Sequence, residues 1–252
     1  MTPESTSHQK MVSAGFTIEG ENFCLTSRVT VPAGPAQLND LLPVARALSD
    51  AIVRETCQII EAAGESISCV KGCGACCLNL VAISEVEARR IRNVVENLPK
   101  KQRSTIRARF SEACQRLERA GLLEKLQAAD RWTNTDYTTL VGTYFQQGIS
   151  CPFLEEESCS IYQERPITCR EFLVTSPPEY CARLDSGNVR QVRLPLRMFN
   201  AVARWQVPPQ DHFLESWVPL ILALEWAEAH PDDPPPKPGP ELLRALLANL
   251  SC

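Results

Sequence analysis

Between Ala36 and Gly64 the apolar residues Leu38, Leu41, Leu42, Ala45, Leu48, Ile52, Ile59 and Ile60 recur at three- and four-residue steps. That spacing predicts one long amphipathic helix closed by glycine. Ahead of it, residues 16–31 (FTIEGENFCLTSRVTV) mix β-branched and aromatic side chains around a Gly-Glu-Asn turn, the pattern of a short hairpin, which Pro32, Gly34 and Pro35 end. Cys24 is expected to pack within it. Further on, Ser84-Glu85-Val86-Glu87 is a capping box, so a helix is expected to start there and run to about Asn97. Pro99 interrupts it, and an arginine-rich helix from about Lys100 to Arg119 follows, ending at Gly121. Its arginines are interspersed with glutamates, which reads as a solvated face.

Residues 122–147 suggest one or two shorter helices with Trp132, Tyr137, Leu140, Tyr144 and Phe145 in the core. RQVRLPLRMFNAVAR, residues 190–204, starts extended and turns helical after Pro195. A helix from about Phe213 to Ala229 is apolar nearly all round and is expected to be buried. PDDPPPKPGP, residues 231–240, has the composition of an extended linker, and ELLRALLANL forms a last short helix. The expected fold is therefore mainly α with a small N-terminal β-hairpin. Its expected organisation is a hairpin region over 1–35, a helical domain over 36–190 that packs irregular metal-bound cysteine loops on its helices, and a C-terminal helical extension over 191–252.

Two stretches fit neither period. Cys69-Val70-Lys71-Gly72-Cys73-Gly74-Ala75-Cys76-Cys77 places four thiols in nine residues, and Cys151, Cys159, Cys169 and Cys181 follow in a proline-rich stretch expected to be an irregular loop. Eight of the twelve cysteines fall in these two groups. Cys57 and Cys114 lie on expected helices and read as packing.

Length and charge narrow what those thiols do. A chain of 252 residues buries a core without disulfides, and its formal charge of -4 argues against general nucleic-acid binding. The polar opening MTPESTSHQKMVSAG has no secretory signal, and the apolar run VPLILALEWA is too short to cross a bilayer. A cytoplasmic protein without membrane or nucleic-acid partners is expected, its protein or small-molecule partner unassigned. In a reducing compartment, clustered cysteines point to metal rather than disulfides.

Cys73-x2-Cys76 is a knuckle spacing that lets two thiolates share one metal. Adjacent Cys76 and Cys77 are expected to diverge, which implies more than one centre. Eight thiolates suit two four-sulfur sites, or one polynuclear cluster with thiols to spare, and all-sulfur ligation selects zinc or iron-sulfur. Such a centre carries net negative charge, so Arg165 and Arg170 are expected to donate to the sulfurs. His8, His212 and His230 stand away from ligand spacing and read as surface residues. Nucleotide-binding glycine loops and Ser/His/Asp arrangements are absent, which leaves catalytic residues unassigned.

CVKGCGACC, followed by CPFL, CSIY, RP and CR, resembles the YkgJ-like cysteine-cluster family, known for a CxxxCxxCC motif and described as zinc- or iron-chelating. Cys69, Cys73, Cys76, Cys77, Cys151, Cys159, Arg165, Pro166, Cys169 and Arg170 carry the resemblance, over about residues 66–182. It implies that these cysteines are metal ligands, with Cys181 less directly supported. The cluster is also similar to that of the flagellin lysine methylases, which implies an iron-sulfur centre used with S-adenosylmethionine. Cys69-x3-Cys73-x2-Cys76 has the radical-SAM spacing too, but the chain lacks the repeated strand-helix units of that fold. Three readings stand: a metal-binding protein with redox chemistry, a protein methylase, and a non-catalytic zinc-stabilised module.

Overall fold

The structure, a computed structural model, describes residues 10–20, 23–128, 134–183, 187–205 and 217–250. The fold is mainly α with a small N-terminal hairpin, as the sequence predicts. Strands β1 (Met11–Gly20) and β2 (Phe23–Pro32) pair antiparallel with Gly20 opposite Phe23. The hairpin is longer than expected because the alternation of apolar and polar residues already begins at Met11. Phe23, Leu25, Val29 and Val31 on one face of β2 are buried, with Ser27 half-buried between them, and Cys24, expected to pack, points the other way and is exposed.

Helix α1 (Leu38–Ala62) supports the whole molecule. Its apolar stripe, with Leu41, Ala45 and Ile52 fully buried, packs on β2 and the later helices. Gly64, at φ 85°, takes the left-handed conformation that ends the helix and releases the chain into the first cysteine loop. A short 3-10 turn, Ala75–Leu78, closes that loop, and β3 (Pro35–Ala36) and β4 (Ala82–Ser84) are brief strands on either side.

Helix α2 (Glu85–Glu96) starts at the expected capping box, with the Ser84 hydroxyl accepting from the Glu87 amide. Helices α3 (Lys100–Arg119), α4 (Leu123–Gln127) and α5 (Asn134–Gln146) follow. Of the core residues expected here, Leu140 and Tyr144 are buried, while Trp132 and the Tyr137 side chain lie outside the described residues. The arginines of α2 and α3 are mostly paired: Arg107 with Glu96 and Glu228, Arg89 with Glu85 and Asp233. Arg89 is buried over the Trp226 ring at 4.9 Å rather than solvated.

The second cysteine segment is more regular than its composition suggests. A two-residue turn joins β5 (Leu154–Glu155) to β6 (Ser158–Cys159), with Glu156 and Glu157 at φ 46° and 60°. Helix α6 (Ile167–Glu171) carries Cys169 and α7 (Pro178–Arg183) carries Cys181. Helix α8 (Met198–Ala203) starts after Pro195 as expected.

The expected helix over 213–229 is corrected. Residues 206–216 lie outside the described residues; Trp217–Pro219 is strand β7, paired with β4, and the helix proper, α9, is only Ala223–Ala229. Pro219 disfavours helix at the residue before it, which frees Trp217 and Val218 to pair with Ser84 and Ile83. Past exposed residues 231–236, β8 (Lys237–Pro238) pairs with β3, and α10 (Gly239–Ala248) packs on β2, α1 and α8. Among the described residues, no helix is long and apolar enough to cross a membrane.

Candidate metal centre

Four carboxylates, Asp50 exposed and the other three buried or half-buried, tie the second cysteine segment to α1, α2 and α8. Glu164 accepts from Arg46 of α1 and, bidentately, from Arg90 of α2 at 3.0 and 2.8 Å. Hydrogen bonds from Arg90, then from Arg46, hold its carboxyl down at about 2. Asp50 of α1 accepts two bonds from Arg170 at 3.0 and 2.9 Å. Glu87 is the capping residue of α2, yet its other oxygen accepts from the Ile167 amide at 2.8 Å and so starts α6 as well. Glu171, at the far end of α6, accepts from the amides of Met198 and Phe199 at the start of α8. Burial, only partly offset by Arg197 and those amides, pushes it up to about 7.

The two cysteine loops meet directly. The Cys151 amide donates to the Cys77 carbonyl at 2.7 Å, and the Ser68 amide donates to the Val174 carbonyl at 2.9 Å. Gly74 lies flat against the β5–β6 turn: a Cβ there would stand 2.6 Å from Leu154 Cδ1 and 3.0 Å from the Glu157 carbonyl oxygen. Helix α7 packs against the 3-10 turn of the first loop, which carries the buried Cys181 to it. Tyr162 joins the same junction, with Lys71 5.6 Å and Arg165 4.3 Å from its ring centroid. Cys151 and Cys159 rest on a core cluster that includes Phe110 and Phe153, packed edge to face at 5.5 Å.

All eight candidate cysteines lie on the two loops so joined or on α6 and α7, and all are free thiols. A charge on Cys76 is felt by Cys69, Cys77, Cys151, Cys159, Cys169 and Cys181, and Cys73 by Cys69 and Cys181. Burial, then the charge of neighbouring thiols, drives Cys151 up to about 12, Cys181 up to about 11 and Cys169 well above the usual thiol value. Cys76 alone moves down, because the Cys77 thiol donates to it; Cys77 moves up for the same reason. The two thiols are adjacent on the 3-10 turn Ala75–Leu78.

The thiols form two subsets around Cys76. Cys69 and Cys73 both raise Cys181, and Cys73 raises Cys69; Cys151 and Cys169 both raise Cys77, and Cys159 raises Cys151 and Cys169. Among the described residues, no three His, Cys, Asp or Glu side chains are set in the geometry that holds a metal ion.

Arg165 and Arg170 differ. The Arg165 guanidinium lowers Cys69, Cys76 and Cys159 by its charge, and its buried Nε has no hydrogen-bond partner among the described residues. Arg170 gives its bonds to Asp50 and to the carbonyls of Arg165 and Gln163, better acceptors than a thiol, and acts on sulfur only through charge at Cys159. Sequence reasoning missed Glu87, Glu164, Asp50 and Arg46, whose partners lie 74 to 120 residues away in the chain. Cys57 and Cys114 stay apart from the cluster, Cys114 pushed up to about 11 by burial and by Glu225. His230 is exposed and stacked on Trp226 at 4.4 Å, while His8 and His212 lie outside the described residues.

Residues 68–185 match the model of the CxxCxxCC family, described as "Putative zinc- or iron-chelating domain". The matched span holds all eight clustered cysteines, Arg165 and Arg170. Comparison with curated proteins and with solved structures found no significant match.

Proposed function

With a CxxCxxCC cysteine-cluster domain over residues 68–185 as its premise, we propose that this protein holds zinc or iron-sulfur through two four-thiolate sites: Cys69, Cys73, Cys76 and Cys181 in one, Cys77, Cys151, Cys159 and Cys169 in the other. The observation that carries this reading is the direct meeting of the two cysteine loops, with the Cys151 amide on the Cys77 carbonyl at 2.7 Å and α7, which bears Cys181, packed on the 3-10 turn of the first loop. The chemistry of the donor set fits. Soft thiolates select zinc or iron over magnesium or calcium, and metal binding displaces their protons. Side-chain rotation draws the sulfurs in, while the carboxylate anchors keep the backbone of the second segment in place.

Arg165 supplies the compensating cation. Four thiolates around a divalent ion leave about two net negative charges, and an arginine whose charge already lowers Cys69, Cys76 and Cys159, its Nε lacking a partner among the described residues, offsets them. Bound metal would supply structural closure as zinc, or electron transfer as an iron-sulfur cluster.

Anaerobic purification with metal and sulfide analysis and a visible spectrum tests this. A colourless protein with two zinc ions, or a brown one with inorganic sulfide, is the expected result, and protein free of both overturns the reading. Cys181→Ser and Cys169→Ser each remove one centre if the sites are separate. Loss of all metal from either variant points instead to a single polynuclear site.

A further inference from the structure

The β1–β2 hairpin leaves one edge of a ten-residue strand unpaired among the described residues. The pairing fixes which groups face that edge. The Ala33 amide donates to the Lys10 carbonyl at 2.7 Å, so Lys10 and every second residue after it (Val12, Ala14, Phe16 and Ile18) bond toward β2. The N–H and C=O groups of Met11, Ser13, Gly15, Thr17 and Glu19 point outward.

The faces are sorted in the same way. Val12, Ala14 and Ile18 stand opposite Val31, Val29 and Leu25, on the face that covers α1 and α10. On β2 this face is buried, but on β1 it is left at the rim: Val12 is 39% exposed, Ala14 exposed, Phe16 and Ile18 half-buried. A long, straight edge with an apolar rim is what natural sheets normally blunt with proline, lysine or a bulge. Between Met11 and Gly20 β1 carries none of these; Lys10 stands just ahead of it and Glu19 at its far end.

We propose that β1 is the interface of a homodimer, in which two copies pair antiparallel about Gly15 and merge their hairpins into one four-stranded sheet. This register joins the outward-facing residues Met11 with Glu19, Ser13 with Thr17 and Gly15 with its own copy. It sets Val12 against Ile18 of the second copy and Ala14 against Phe16, both non-hydrogen-bonded pairs, where side chains approach most closely. The exposed rim thus becomes a continuous apolar stripe across the two-fold axis. Gly15 is not demanded by its own ribbon, since a Cβ there would meet nothing nearer than the Ser27 carbonyl oxygen at 4.0 Å. On the axis it lets two backbones approach without side chains between them. Ten paired residues span about 33 Å, and the covered surface, on the order of 1,000 Å², sits at the lower end for specific interfaces. A dimer with an interface of that size is expected to be reversible.

Sedimentation equilibrium of the full chain from about 1 to 200 µM tests the assignment. Wild type is expected to shift from monomer to dimer. Val12→Lys weakens association at least tenfold, and adding Ile18→Glu restores it, because the introduced lysine then faces the introduced glutamate of the second copy. Gly15→Pro, which removes an outward N–H and no bond to β2, also gives monomer, with circular dichroism confirming that the chain is folded. A wild type that stays monomeric throughout, or a dimer that survives both Val12→Lys and Gly15→Pro, overturns the proposal.

Discussion

Gly74 and Glu157 come so close that a side chain at position 74 would crowd them: a Cβ on Gly74 would lie 3.0 Å from the Glu157 carbonyl oxygen, a backbone atom that must shift to make room. The contact belongs to the seam where the Cys151 amide meets the Cys77 carbonyl. Gly74→Ala is expected to part the two loops, costing about 1–2 kcal/mol by overpacking. Urea denaturation reads that cost. Metal content should fall with it if the two loops share the metal, and a variant of wild-type stability and loading would show that the seam is not needed.

Glu164 bridges two helices through Arg46 and Arg90, and its lowered carboxyl gives the bridge a pH signature. The folded-state value of about 2 lies below the ordinary carboxylate value. The bridge therefore contributes fully above about pH 4.5 and is lost as pH falls through about 2. Because the pair is partly solvated, Glu164→Gln should cost about 1–2 kcal/mol at pH 6. The gap between variant and wild type should narrow as both are acidified. A difference that stays constant from pH 7 to 3 would remove the ion pair from the account.

The parts of this fold legible in the sequence are those set by neighbours in the chain. The period of α1, the capping box at Ser84 and Glu87, and the two cysteine groups are all local patterns. What escaped is non-local. Nothing beside Ile167 indicates that Cys169 rides on a helix, because the carboxylate capping that helix is Glu87, eighty residues earlier. Likewise, Trp217 and Val218 read as helix by composition but become strand through pairing with β4 and the restriction imposed by Pro219. At the site, residue types announced the chemistry, while the anchors Arg46, Asp50 and Glu164 looked like ordinary surface charges.

Arg165 is predicted to act on the metal and hardly on the fold. Among the described residues it has no salt bridge to lose, and its charge is directed at Cys69, Cys76 and Cys159. Arg165→Gln should weaken metal retention roughly tenfold, equivalent to about 1.4 kcal/mol, in competition with a chelator. Arg165→Lys should recover part of that through charge alone. Unchanged competition curves for the Gln variant would mean that the arginine serves only to stack on Tyr162.

Glu87 offers the sharpest test of how the scaffold positions the second segment, because one buried side chain starts two helices. One oxygen accepts from the Ser84 amide at 3.0 Å and the Ser84 hydroxyl at 2.8 Å, and the other from the Ile167 amide at 2.8 Å. Glu87→Ala strands all three donors in a site where the residue is 1% exposed, so a loss of about 2–4 kcal/mol is expected. Glu87→Gln keeps the shape but presents an amide NH₂ to one set of donors. If that NH₂ turns toward Ile167, α6 loses its cap while α2 keeps its own. Amide hydrogen exchange separates the two: faster exchange at Ile167–Glu171 with α2 still protected would show that Glu87 places Cys169 from a distance. Equal loosening of both helices would mean that it serves only the capping box.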